Sequence, residues 1–130
     1  MRILITGATG FVGRALCAHL RGGHELVVVS RDPERARQAL ALERSLALPA
    51  TPAQWAAALE GCDAVVNLAG ESIAAGRWTE ARKRAIRDSR IEITRGIVGG
   101  ITAAARPPRV LVSASAVGYY GPRAGEPIDE

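Results

Sequence analysis

The sequence predicts an α/β fold: a doubly wound parallel sheet between two layers of helices. Three observations carry this. Short β-branched runs alternate with helix-like segments along the whole chain, the pattern of a parallel sheet with crossover helices. The runs are continuously apolar, as strands covered on both faces must be. Glycine-rich exits follow the first and fourth runs, and right-handed crossovers bring those exits to one crevice. The expected strand order is 3-2-1-4-5, in three α/β/α layers.

Taken in order, Arg2 to Thr6 is the first strand and the glycines Gly7, Gly10 and Gly13 follow it directly. Phe11 to Leu20 reads as a helix, with Val12, Leu16 and Leu20 at i, i+4 spacing forming its apolar stripe; Gly22-Gly23 ends it. Leu26 to Val29 is the second strand. Asp32 is a favourable N-cap and Pro33 a favourable first helical residue, so a second helix runs to about Leu42. Ser45 to Leu48 is a weak strand. Thr51-Pro52 repeats the cap-plus-proline signal for a short helix through Trp55 and Leu59, stopped at Gly61. Asp63 to Gly70 is the fourth strand and its exit. Thr79 caps a long helix that ends before Pro107-Pro108, and Arg109 to Ser113 is the fifth strand, followed by a loop from Ser115 to Pro127.

The 130 residues, 48% hydrophobic, suffice for one domain with a real core. No apolar run is long enough to span a bilayer, so no membrane partner is expected. The strand pattern begins at Arg2, so no secretory leader is expected. The net charge of +4 comes mostly from arginines between Arg77 and Arg95 on one helix, and the whole chain has two Trp, two Tyr and one Phe. Without aromatic interleaving, that is a solvated basic face, not a nucleic-acid surface. Cys17 and Cys62 lack metal-ligand spacing and read as buried free thiols of a reducing, cytoplasmic protein; no metal site is expected.

The glycine spacing Gly7-x-x-Gly10-x-x-Gly13 lets a phosphate approach the backbone at a helix N-terminus. No Gly-Lys-Ser/Thr follows, which excludes a P-loop. A tight strand-to-helix packing turn is the alternative.

TGATGFVG, NLAGESI, RWTEARKRAIRDSRIEITRGIV and SASAVGYYG, in that order, together resemble the epimerase-like branch of the extended short-chain dehydrogenase/reductase superfamily, the NAD-dependent epimerase/dehydratase type. The resemblance implies a Rossmann fold that binds NAD or NADP, with residues 1–130 as the dinucleotide-binding domain. It implies that Gly7, Thr9, Gly10, Phe11 and Val12 line the pyrophosphate and adenosine, and that Leu68, Ala69 and Gly70 pass beside the adenine-side ribose. It also implies hydride transfer at a carbonyl or hydroxyl carbon of a small molecule, a nucleotide sugar being the suggested class. The chain resembles the N-terminal portion of such proteins.

Cofactor choice follows from charge. NAD sites place a carboxylate at the end of strand two, and a 2′-phosphate needs a cation there. Ser30-Arg31 stands at that place. Ser30 can donate a hydrogen bond and Arg31 can take a phosphate in bidentate fashion, which favours NADP. NAD is the less favoured alternative, through Asp32, if Asp32 is not spent as an N-cap. Arg90 shares a helical face with Ile86, Ile93 and Ile97, and a lone arginine on an apolar stripe needs an anion. Arg90 is read as a contact to a cofactor phosphate; the alternative is that it snorkels or pairs with a carboxylate. Arg82, Lys83, Arg84 and Arg87 read as solvent-facing, the alternative being that one of them reaches substrate.

By the resemblance, a serine at the end of strand five holds the reacting oxygen: Ser115, with Ser113 as the alternative. The family's tyrosine and lysine, which transfer the proton and lower the tyrosine pKa, are not matched, because the sequence contains no Y-x-x-x-K. Tyr119 and Arg123 have the spacing but enclose Gly121-Pro122, which breaks a helix. Tyr119 and Tyr120 are instead read as walls of the nicotinamide or substrate pocket. A nucleotide-binding module without catalysis, such as a redox sensor, is therefore the second functional reading. Strand five is expected at an open sheet edge, which invites a homo-oligomer.

Overall fold

A computed structural model describes residues 1–115. The sheet is parallel, with the order β3-β2-β1-β4-β5: β1 (Arg2–Thr6), β2 (Glu25–Ser30), β3 (Ser45–Ala47), β4 (Ala64–Asn67) and β5 (Val110–Ser113). The helices are α1 (Phe11–Leu20), α2 (Pro33–Leu40), α3 (Pro52–Leu59) and α4 (Glu80–Ala103). β1 is central, with Thr6 level with Val29 on one side and with Asn67 on the other.

Alternation along each strand splits the core into two layers. Ile3, Ile5, Leu26 and Val28 face Cys17 of α1 and Ala36 and Leu40 of α2. Leu4, Val27, Val29 and Val65 face Trp55 and Leu59 of α3 and Ile97 of α4. The continuous apolar runs are thus explained by burial on both faces. α3 and α4 approach closely because Gly100 presents no side chain to Trp55; a Cβ there would lie 2.5 Å from that of Trp55.

Three helices are capped as their sequences suggest. Asp32 accepts from the Arg35 N–H at 3.0 Å, Thr51 forms a capping box with Gln54, and Thr79 accepts from the Arg82 N–H at 3.2 Å. Two details differ from expectation. α2 stops at Leu40, not Leu42: Ala41 takes a left-handed φ of 45° and the Leu42 N–H reaches back to the Arg37 carbonyl, so that Leu42 can turn into the core. This is a Schellman-type ending, driven by the apolar residue beyond the helix. Val12 does not join the apolar stripe of α1. It is 60% exposed, and the buried positions are Gly13 and Cys17, because α1 lies too close to the β1 exit for a larger residue to face inward there.

β5 pairs with β4, but Val110 and Val112 are about half exposed. Among the described residues nothing covers this edge.

Candidate dinucleotide-binding site

A cavity of about 370 Å³ opens at the carboxyl ends of β1, β2 and β4. Its floor is the turn Thr6 to Gly10. One wall is Ser30-Arg31 with Leu48; the other is Leu68 to Glu71 with Ser89, Glu92 and Ile93 of α4.

The floor needs glycine for two separate reasons. Gly7 has a φ of +71°, and a Cβ there would lie 2.5 Å from the Leu68 carbonyl carbon. A Cβ on Gly13 would lie 2.6 Å from the Ala8 Cα. Between them, the Gly10 N–H donates to the Gly7 carbonyl at 3.0 Å. The two glycines therefore let the turn pack against the β4 exit and against its own backbone. Gly10 is also the N-cap of α1 and brings no side-chain cap, and no acidic residue lies in the first turn. The first N–H groups of α1 and the positive end of its dipole are left for an anion. A glycine turn that lines the cavity, beside an uncapped helix end, fits a dinucleotide pyrophosphate.

A buried polar network ties the strand ends together under this floor. Thr6 Oγ1 donates to Asn67 Oδ1 at 2.7 Å. Asn67 Nδ2 donates to Thr94 Oγ1 and Ser113 Oγ, each at 3.2 Å, and the Ala114 N–H donates to the Asn67 carbonyl at 2.9 Å. Thr6 and Asn67 are nearly inaccessible, so each polar atom needs such a partner. The one signal for this network in the sequence is an asparagine within an otherwise apolar strand.

Of the residues the sequence singled out, the crevice gathers Gly7, Thr9, Gly10, Ser30, Arg31, Leu68, Ala69 and Gly70. Phe11 and Val12 begin α1 with exposed side chains. Ser113 ends β5 beside Asn67, and Ser115 is exposed just beyond. Arg90 stacks its guanidinium against Gly70 and donates to the Glu71 carbonyl at 3.2 Å and the Ile86 carbonyl at 2.9 Å. Tyr119, Tyr120 and Arg123 lie outside the described residues. Asp32 is spent as the α2 cap, while the Ser30 hydroxyl accepts from the Asp32 N–H at 3.2 Å.

Arg82 corrects the expectation of a solvent-facing residue. Its side chain is 21% exposed, bonds Glu71 Oε1 at 3.0 Å and also donates to the Ser72 carbonyl. The chain leaving β4 folds back over the first turn of α4, which covers Arg82. Lys83 and Arg87 do lie at the surface, paired with Glu80 and Asp88. Glu71 itself was missed, as were Ser89 and Glu92. Their only trace in the sequence is that Glu71 adjoins the fourth-strand exit and that Ser89, Glu92 and Ile93 share one helical face.

A family model described as the NAD dependent epimerase/dehydratase family matches residues 3–130. The chain belongs to that family. This epimerase/dehydratase-family chain is 42% identical over 125 residues to an Arabidopsis thaliana epimerase family protein, the chloroplastic SDR39U1 homolog, covering 93% of this chain and 36% of that protein. It is 39% identical to human SDR39U1, covering all of this chain and 42% of that protein. The chain thus spans about two fifths of the length of these relatives. The crystal structure of human SDR39U1 with NADPH superposes with a TM-score of 0.77 at 38% identity, covering 95% of this chain and 39% of that one. A Bacillus cereus UDP-glucuronic acid 4-epimerase superposes at 0.76 and 21% identity, covering 99% of this chain and 44% of that one, a likeness of fold.

Proposed function

We propose that the chain binds NADP in this crevice and serves hydride transfer to or from a carbonyl or hydroxyl carbon of a small molecule. The observation that carries the reading is the bare glycine turn sharing one crevice with Ser30 and Arg31. Family membership and the NADPH in the human SDR39U1 structure support it. When bound, the cofactor supplies the ring that carries hydride. The chain's part is to hold and orient it: N–H groups from Thr9 to Val12 on the pyrophosphate, Ser30 and Arg31 on the 2′-phosphate, Leu68 to Gly70 beside the adenine-side ribose. Arg90, resting on Gly70, is a further phosphate contact on exchanging the Glu71 carbonyl for the ligand. Ser115 holds the reacting oxygen, and Ser113, already bonded to Asn67, is the alternative. A nucleotide sugar is the substrate class that family membership supports. Among the described residues β5 is an edge strand, which supports assembly with a second copy, and the two buried thiols support a reducing compartment such as the cytoplasm.

Titration of NADPH and NADH against wild type and Arg31→Ala tests the cofactor assignment. The variant is expected to lose NADPH affinity about tenfold, as for loss of one charge-assisted contact, with NADH unchanged. Unaltered NADPH affinity removes Arg31 from the site. A second reading is a nucleotide-binding module without catalysis, which uses the same crevice. Hydride exchange between NADPH and a panel of carbonyl compounds separates the two, since only the first reading expects turnover.

A further inference from the structure

The segment leaving β4 places one carboxylate in the crevice wall and fixes it from every side. The Glu71 N–H donates to Ser89 Oγ at 3.0 Å and its carbonyl accepts from Arg90 at 3.2 Å. Its Oε1 accepts from Arg82 at 3.0 Å. The remaining oxygen, Oε2, lies 3.8 Å from Arg31 Nη1. Arg31 follows β2 and Glu71 follows β4, on either side of the central β1, so this ion pair spans the crevice over the glycine turn. The two partners differ in mobility: the Arg31 side chain is 84% exposed, that of Glu71 30%. Arg31 can move to a ligand, whereas Glu71 stays where Arg82 and α4 hold it.

We propose that Glu71 is a specificity-determining residue that restrains the preference of the site for a 2′-phosphate. The proposal rests on the NADP reading above. A 2′-phosphate bound by Arg31 must displace the Glu71 carboxylate from that guanidinium and then remain near a fixed negative charge. Both effects weaken binding of the phosphorylated dinucleotide and leave the unphosphorylated one untouched, because only the former brings charge to that corner. Arg82 limits the repulsion by sharing the carboxylate: the cluster Arg31, Glu71 and Arg82 carries a net single positive charge. Without Arg82, the whole charge of Glu71 would fall on Arg31.

The experiment is a titration of NADPH and NADH against the wild-type chain, Glu71→Gln, Arg31→Ala and the double variant, with thermal melts to confirm folding. Glu71→Gln is expected to raise NADPH affinity about fivefold, the scale of a partly exposed ion pair, and to leave NADH affinity within about twofold. The gain is expected to shrink when Arg31 is alanine, because only the direct repulsion between Glu71 and the phosphate then remains. Glu71→Asp, which keeps the charge but draws the carboxylate back from Arg31, should raise the NADPH-to-NADH affinity ratio by less than Glu71→Gln, which keeps the proposal testable if Glu71→Gln does not fold. Equal changes for both dinucleotides would make Glu71 a loop clamp only, and overturn the proposal. An unmoved ratio in a wild type that does bind NADPH overturns it alone. A wild type that binds neither dinucleotide overturns the cofactor reading as well.

Discussion

The two chain segments that bound the crevice hold their shapes by opposite means. The β1–α1 turn is set by backbone alone: Gly7 against Leu68, Gly13 against Ala8, and one Gly10-to-Gly7 hydrogen bond. The segment between β4 and α4 is set by side chains that reach back from α4: Arg82 to Glu71 and Ser72, Ser89 and Arg90 to Glu71. The first presents N–H donors whatever the pH or salt. The second presents charge, which neighbouring charges tune. One crevice thus combines a turn set by backbone packing with a rim set by charged side chains.

The largest expected effect separates a glycine that is packed from one that is only turned. Gly7 and Gly76 both have positive φ, +71° and +87°, but nothing lies within 4 Å of a Cβ on Gly76. Gly76→Ala is expected to cost about 1 kcal/mol, the backbone penalty alone. Gly7→Ala adds a collision with the β4 exit and is expected to cost about 3 kcal/mol or more. Urea denaturation of the two variants checks this, and equal losses would show that the β1–α1 turn is not held by packing against β4. A smaller effect tests the charged segment. Arg82→Met is expected to cost about 1 kcal/mol in global stability but to remove amide protection locally between Glu71 and Trp78. Hydrogen exchange that stays unchanged there would mean that the segment does not depend on its arginine strap.

The smallest effect comes from an ion pair away from both turns, and it serves as their reference. Hydrogen bonds from Arg37 and then Gln38 hold the Glu34 carboxyl down to about 2, from an ordinary 4.5. A depressed carboxyl pKa stabilises the fold above the unfolded value and loses that contribution as pH falls toward the folded one. The advantage of wild type over Glu34→Gln is therefore expected to be full near neutrality and to disappear between about pH 4.5 and 2. Thermal melts at pH 3 and pH 7 measure it; because the pair is exposed, the difference should be small beside that at Gly7. A constant difference across this range would remove the ion pair as its cause.

Much of this was legible in the chain. Asp32-Pro33, Thr51-Pro52 and Thr79 announce helix starts through hydrogen bonds three residues long, and all three caps form. The β-branched runs announce buried strands because a parallel sheet hides both faces of each strand. Ser30 and Arg31 reach the crevice because the end of β2 fixes their position by local geometry. Where the sequence misled, a distant neighbour decided. Leu42 left its helix to enter the core, Val12 gave the inward place to Gly13, and Arg82 became covered by the returning β4 exit.

The local code of apolar period, cap residues and glycine spacing by itself determined the element order, the parallel sheet and the glycine turn at the head of α1, since those signals act within a few residues of one another. The tertiary structure alone decided which carboxylate faces Arg31, which hydroxyls satisfy Asn67, and which arginine of α4 is covered. Thr6 meets Asn67 across 61 positions, Asn67 meets Ser113 across 46, and Arg82 meets Glu71 across 11. Such pairings arise only when the sheet register sets the strand ends level and α4 folds back over them, so no local pattern of residues encodes them.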